Sequence, residues 1–121
     1  METHRLFIYG TLKRQRSQHH RLRKQVFVGE AETRPHFRLL NLGWYPGLAF
    51  TEDDGQAIQG EIWEVSPECL EALDAFEGEE YARQTIEILR DGEVEAVQAY
   101  VLTDPDWSCP DAGITWTKLA L

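Results

Sequence analysis

The chain has 121 residues, 42% of them hydrophobic, and a formal net charge of −9 at pH 7, which suits one compact globular domain over residues 1–121. An acidic surface repels a phosphate backbone, so the charge argues against a nucleic-acid partner. Cys69 and Cys109 are far apart and lack metal-ligand spacing; one disulfide between them stays open, but a reducing compartment is the simpler expectation.

The first predicted strand runs from Arg5 to Tyr9. Its apolar run, Leu6 to Tyr9, is four residues long and too short for a signal-peptide core or a membrane span. We therefore expect a cytoplasmic protein with no membrane partner. Gly10 then permits a sharp turn. The next segment, residues 13–24 (KRQRSQHHRLRK), is expected to form a loop or a short helix.

This basic segment, residues 13–24, holds six of the twelve Lys and Arg residues and no acidic residue. Three interpretations stay open: a solvated surface loop, a source of positive potential beside a pocket for a carboxylate-bearing substrate, or a site for RNA or another acidic partner. RNA contact usually involves interleaved aromatic residues, and the segment has none besides its two histidines. His19 and His20 are adjacent and have no Cys or acidic residue at metal-ligand spacing, so we expect no metal there.

Further strands are predicted at residues 25–31, 37–42 and 57–65. Between the strands at residues 37–42 and 57–65, the pair Pro46-Gly47 predicts a type II turn with the glycine at positive φ. The strand at residues 57–65 has apolar residues on both faces, which is typical of a central strand in a closed or covered sheet. These residues are Ile58 and Ile62 on one face and Trp63 and Val65 on the other.

One helix is predicted with both of its ends marked. Ser66 suits the N-cap, Pro67 the first helical position, and Gly78 the position just beyond the C-terminus. The helix carries an apolar stripe at helical spacing, which predicts the face that packs on the core. The stripe consists of Cys69, Leu70, Leu73 and Phe76.

A β-hairpin follows, with strands at residues 81–90 and 93–102 around the two-residue turn Asp91-Gly92. The tail, residues 103–121, is expected to drape over the core. Short strands, most of them in antiparallel hairpins, with one or two short helices, predict an α+β fold built on a curved or barrel-like sheet.

Glu77 is an unusual residue for the end of a helix. It follows Leu73 by four residues and so shares the core-facing side of the helix. Partial burial, the negative end of the helix dipole and the carboxylates of Asp74, Glu79 and Glu80 all act to raise its pKa. A carboxyl group near neutrality can take up and return a proton, as general acid–base catalysis requires. The alternative is that residues 77–80 form a solvated acidic loop.

The strand-end sequence Tyr9-Gly10-Thr11-Leu12 is the second candidate motif. Successive N–H groups of Gly10, Thr11 and Leu12 after such a turn can form a concavity that binds an anion. The alternative is an ordinary turn.

Together the two motifs resemble the γ-glutamylcyclotransferase-like family, and within it the γ-glutamylamine cyclotransferase branch. The resemblance extends over residues 5–102 in order and spacing. It rests on YGTLKR (9–14), YPGL (45–48), GEIWEV (60–65), LDAFEG (73–78) and YAR (81–83).

The resemblance implies a small, mixed, mostly antiparallel β-barrel with its pocket at one open end. It implies that Glu77 is the catalytic acid/base and that backbone amides of the loop Tyr9–Leu12 hold the γ-glutamyl group. Tyr9 and Tyr81 are expected to line the pocket, with their hydroxyl groups on the α-amino or α-carboxylate group of the substrate. Their alternative role is that of half-buried strand aromatics.

The reaction that the resemblance implies is an intramolecular aminolysis, which releases 5-oxoproline and a free amine without a cofactor or a metal. Relatives often have Gly and Asn in the stretch where this chain has Gln15 and Gln18, so the leaving amine is not fixed. Two alternatives stay open: a non-catalytic module of the same fold that binds a small molecule, RNA or an acidic partner, and an enzyme that removes a γ-glutamyl protecting group from a biosynthetic intermediate. The sequence predicts no oligomeric state.

Overall fold

The structure is a computed structural model that describes residues 2–117. It contains one α-helix, α1 (Pro67–Glu77), and 3₁₀ turns at His19–Leu22 and Gly78–Glu80. No helix in this part of the chain is both long and apolar enough to cross a membrane. The strands are β1 (His4–Ile8), β2 (Val26–Thr33), β3 (Phe37–Asn41), β4 (Pro46–Phe50), β5 (Gln59–Val65), β6 (Tyr81–Arg90) and β7 (Glu93–Leu102).

The strands form a closed, mixed barrel, as expected. The barrel consists of β1, β5, β2, β6 and β7 in that order, and a parallel pairing of Leu6 with Gln98 joins β7 back to β1. The other four contacts around the barrel are antiparallel. β4 pairs in parallel with β7, and β3 then pairs with β4, so these two strands extend the sheet beyond the barrel. The predicted α+β class and the mostly antiparallel barrel are both confirmed.

Two hydrophobic clusters explain why β1 and β5 are apolar on both faces. Leu6 and Ile8 of β1 belong to a cluster that includes the helix residues Leu70 and Leu73, whereas Phe7 belongs to the other. β5 divides in the same way, since Ile62 lies in the second cluster, with Ile58 just before the strand, and Trp63 and Val65 lie in the first. Burying a large apolar side chain contributes about 1.5–3 kcal/mol, so both faces stabilise the barrel.

The prediction of a type II turn at Pro46-Gly47 is wrong. Both residues lie in β4, and the positive φ of the preceding turn belongs to Gly43, at 113°. The reason for a glycine at position 47 is packing, because a Cβ atom there would overlap the side chain of Leu102 on the neighbouring strand. Tertiary contact rather than turn geometry therefore selects this glycine.

The described part of the tail, residues 103–117, packs on the barrel, as expected. Asp111 forms a bridge with Leu40 of β3, and the N–H of Gln59 donates to the carbonyl of Ile114 at 2.7 Å. Trp116 is 4% exposed and belongs to the second cluster. Trp116 thus ties the tail to the hydrophobic core.

The basic segment is only in part a solvated loop. Lys13 is 6% exposed, and its Nζ donates to the Thr115 Oγ1 and the Trp116 carbonyl at 3.2 and 3.0 Å. The guanidinium of Arg14 pairs with the buried carboxylate of Glu61, with Nε 3.0 Å from Oε2. These two cations therefore hold the segment to the tail and to β5.

Candidate active site

The end of α1 has the structure that its sequence predicts. Ser66 Oγ accepts a hydrogen bond from the N–H of Cys69 at 3.1 Å, and Pro67 opens the helix. The helix ends at Glu77, and Gly78 caps it at φ 73°, donating its N–H to the carbonyl of Asp74. Local capping therefore fixes where the carboxylate of Glu77 leaves the helix.

Glu77 lines a cavity of about 390 Å³ beside the end of β1. The same cavity is lined by all the other residues that the sequence proposed for the site, namely Tyr9, Gly10, Thr11, Leu12 and Tyr81. The structure thus brings the helix end, the loop after β1 and the start of β6 to one place.

The cavity also includes residues that were not singled out as site residues from the sequence. Tyr100 lies on β7, Trp44 and Tyr45 lie in the turn before β4, and Glu80 follows the helix. Tyr45 lies in a motif that carries the resemblance, and the sequence indicates Glu80 only as a like charge near Glu77. The sequence marks Trp44 only as a residue of a turn. The strand pairing that brings this turn to the cavity is long-range, and local sequence patterns do not show it.

Burial and, to a smaller extent, the negative charge of Glu80 raise the pKa of Glu77 to about 7, while Arg21 acts in the opposite direction. Asp74 does not act as the like charge that the sequence suggested. Burial acts to raise the pKa of Asp74, but hydrogen bonds from Arg83 and Tyr100 lower it below its ordinary value. The cation of Arg83 pairs with this carboxylate at 2.9 Å, so Glu80 is the acidic neighbour that matters to Glu77.

We expect the shifted pKa to appear in the stability of the protein. Since the pKa of Glu77 lies near 7 in the fold against an ordinary 4.5, its ionisation is increasingly unfavourable as the pH rises through this window. Glu77→Gln removes the charge and should raise the free energy of unfolding by about 1–3 kcal/mol at pH 8, but by less than about 1 kcal/mol at pH 5. Urea denaturation at the two pH values measures this.

The matched control is Glu79→Gln, because Glu79 is exposed and does not line the cavity. It should change the free energy of unfolding by less than about 0.5 kcal/mol at either pH. A gain for Glu77→Gln that was equal at pH 5 and pH 8 would contradict the assigned pKa.

The loop after β1 lines the cavity and carries backbone N–H groups. Gly10 accepts from the N–H of Lys13 at 3.1 Å, and Thr11 accepts from the N–H of Gln18 at 2.8 Å, which closes the loop. The N–H groups of Gly10, Thr11 and Leu12 donate to no protein acceptor within residues 2–117. A Cβ at position 10 would lie 2.7 Å from the Pro46 ring, so glycine lets the loop approach β4. Three N–H groups are therefore available to an anionic or carbonyl oxygen.

The structure corrects the role expected for the hydroxyl group of Tyr9. This group donates to the carbonyl of Tyr100 at 2.6 Å and accepts from the N–H of Leu48 at 3.2 Å, so it is engaged within the protein. The hydroxyl group of Tyr81 donates to the carbonyl of Pro46 at 2.7 Å and accepts from no donor within residues 2–117. Burial raises the pKa of both phenols, so they stay neutral near pH 7. Tyr9 therefore joins β7 and β4 through the hydrogen bonds of its hydroxyl group, and its side chain forms part of the cavity wall.

Comparison with known proteins agrees with this arrangement. The family model described as "Gamma-glutamyl cyclotransferase, AIG2-like" matches residues 6–118. A gamma-glutamylaminecyclotransferase C of Danio rerio is 32% identical over 124 residues, covering 88% of this chain and 82% of its own. A gamma-glutamylcyclotransferase family protein of Citrobacter rodentium is 32% identical over 85 residues, covering 69% and 71%.

Similarity extends to solved structures. The crystal structure of an AIG2-like protein from Mus musculus superposes with a TM-score of 0.78 at 28% identity, over 92% of this chain and 86% of the mouse chain. The family model covers almost the whole sequence, including the loop after β1 and the end of α1. The chain therefore belongs to the gamma-glutamyl cyclotransferase, AIG2-like family.

Proposed function

We propose that the protein is a cofactor-free γ-glutamyl cyclotransferase that acts on a γ-glutamyl amine and releases 5-oxoproline and the free amine. One observation carries the proposal: a carboxyl group with a pKa of about 7, that of Glu77, lines the same cavity as three N–H groups without protein acceptors. Family membership and relatives named gamma-glutamylaminecyclotransferases support the same substrate class.

The proposed reaction begins with proton transfer from the substrate's α-ammonium group to the Glu77 carboxylate. The α-nitrogen then attacks the γ-carbonyl carbon, which forms the new C–N bond and places a negative charge on the carbonyl oxygen. Attack leaves the ring nitrogen with two protons and a positive charge. Glu77 gives its proton to the amide nitrogen, and the original C–N bond breaks as the oxygen returns to a carbonyl. The Glu77 carboxylate then takes the second proton from the ring nitrogen and passes it to the freed amine, which leaves as an ammonium ion.

Binding the substrate with its α-amino group folded back onto the γ-carbonyl group supplies much of the rate acceleration. Nucleophile and electrophile belong to one molecule, and well-oriented intramolecular reactions reach effective molarities of roughly 10⁵ M or more. The protein must hold this conformation, and in this proposal the N–H groups of Gly10, Thr11 and Leu12 hold the γ-glutamyl group or the developing oxyanion. A single oxyanion donor typically contributes about 3 kcal/mol to transition-state stabilisation.

The proposal is tested by incubating the purified protein with γ-glutamyl-ε-lysine, γ-glutamyl amino acids and glutathione. Release of 5-oxoproline with an equal amount of free amine, detected by mass spectrometry, is the expected result for at least one γ-glutamyl amine. Conversion of none of these compounds or of other γ-glutamyl amines would leave only a binding function for the cavity.

The pH dependence of the reaction provides a further prediction. Glu77 must be ionised in the free enzyme to accept the ammonium proton, so kcat/KM should rise with pH through a midpoint of about 7. Initial rates at substrate concentrations well below KM, from pH 5 to pH 8, measure this limb. A limb with its midpoint near 4.5, the ordinary value for a glutamate, would contradict the assignment of Glu77 as the base.

A further inference from the structure

The mouth of the cavity is both aromatic and acidic. Trp44 is 79% exposed, and Tyr45 and Phe76 are each 37% exposed. The hydroxyl group of Tyr45 donates to Glu80 Oε2 at 2.9 Å, and this carboxylate is exposed to solvent. Aromatic faces beside a carboxylate form the kind of environment that attracts an alkylammonium group.

The charged side chains that line the cavity are all acidic. Among residues 2–117, Glu77 and Glu80 line it, whereas no Lys, Arg or His does. In the proposed reaction the α-ammonium group of the substrate pairs with Glu77, which leaves Glu80 without a positive group from the glutamyl part. Arg21 acts on Glu77 electrostatically, but its guanidinium stacks on Phe76, with Cζ 3.8 Å from the ring centroid, and donates to the side chain of Gln18.

We propose that Glu80, Tyr45 and Trp44 form a subsite for a positive charge on the leaving amine. The preferred substrates are then γ-glutamyl derivatives of diamines or larger cationic amines. An amine that carried a carboxylate in the same place would face Glu80 and Glu77, so the mouth also disfavours γ-glutamyl amino acids. This inference rests on the proposed function, because it assigns the part of the substrate that leaves.

Three substrates of equal length test the subsite. They are the γ-glutamyl monoamide of 1,4-diaminobutane, the γ-glutamyl amide of n-pentylamine and that of 5-aminopentanoate, which end in an ammonium, a methyl and a carboxylate group. In the wild type, kcat/KM for 5-oxoproline release should fall in that order, with about a tenfold difference between the first two.

Glu80→Gln should reduce the ratio of kcat/KM between the diamine and pentylamine substrates to about twofold, with the Tyr45 and Trp44 rings retaining the remainder. Glu80 also raises the pKa of Glu77, but this effect cancels when two substrates are compared on one variant at one pH. The matched control is Glu79→Gln, which removes the same charge one residue away and outside the cavity, and should keep the wild-type ratio.

Two results would overturn the subsite and leave the cyclotransferase proposal intact. One is equal kcat/KM for the diamine and pentylamine substrates in the wild type, and the other is an unchanged ratio in Glu80→Gln. If the wild type released no 5-oxoproline from any of the three substrates, both the proposed function and this inference would be overturned.

Discussion

Glu77→Gln is expected to lower kcat for 5-oxoproline release by about 10²- to 10⁴-fold, the usual contribution of a general acid–base. The substitution keeps the shape of the side chain and its place at the end of α1. It removes the group that accepts the α-ammonium proton and returns it to the departing amine. Single-turnover and steady-state assays with the same γ-glutamyl amine measure the loss.

The control for this prediction has to show that the loss of turnover does not come from misfolding or from loss of substrate binding. Glu77→Gln should be at least as stable as the wild type at pH 8, since it removes a destabilising charge, and substrate should still protect it against thermal unfolding. Glu79→Gln should keep wild-type turnover. A Glu77→Gln protein that turned over at the wild-type rate would remove this residue from the mechanism.

The features that the sequence predicts correctly are local. The hairpin strands have the bounds expected from Asp91-Gly92, and these two residues adopt φ values of 52° and 82°, as a two-residue turn requires. The helix ends are likewise set by residues within one turn of them. The position of Glu77 on the half-buried side of the helix follows from its spacing to Leu73.

The features that the sequence misses depend on contacts between distant residues. Closure of the barrel needs the pairing of Leu6 with Gln98, which no local pattern marks. The ion pair between Asp74 and Arg83 joins α1 to β6, and the spacing rules within a helix do not show it, so the sequence predicts that the charge of Asp74 acts on Glu77. The sequence misses the mouth of the cavity for a related reason, because Trp44 and Tyr45 precede β4, and β4 joins the barrel through its long-range pairing with β7.

Trp116 links the tail to the loop that presents the three N–H groups. Its ring is buried in the second cluster, and its carbonyl accepts from Lys13 Nζ at 3.0 Å and Arg16 Nε at 3.2 Å. Lys13 directly follows Leu12, and the loop that holds the proposed donors is therefore anchored on the tail. Although the recognised motifs end before residue 103, the tail belongs to the structure of the site.

Trp116→Ala should lower the free energy of unfolding by about 3–5 kcal/mol, as expected for truncating a buried aromatic residue. Trp107→Ala is the matched control in the same tail, because that ring is 53% exposed, and it should change stability by less than about 0.5 kcal/mol. Urea denaturation measures both. If Trp116→Ala does not fold, Trp116→Leu retains part of the apolar volume and should lie between Trp116→Ala and the wild type.

Activity measurements separate the contribution of Trp116 to stability from its contribution to positioning the loop of residues 10–12. Loss of the ring should loosen the carbonyl that anchors Lys13 and Arg16, so KM for a γ-glutamyl amine should rise several-fold in the folded variant. The value of kcat should change less, because Glu77 is held by α1 and not by the tail. A folded Trp116→Leu protein with an unchanged KM would show that the tail supports the barrel without positioning the loop of residues 10–12.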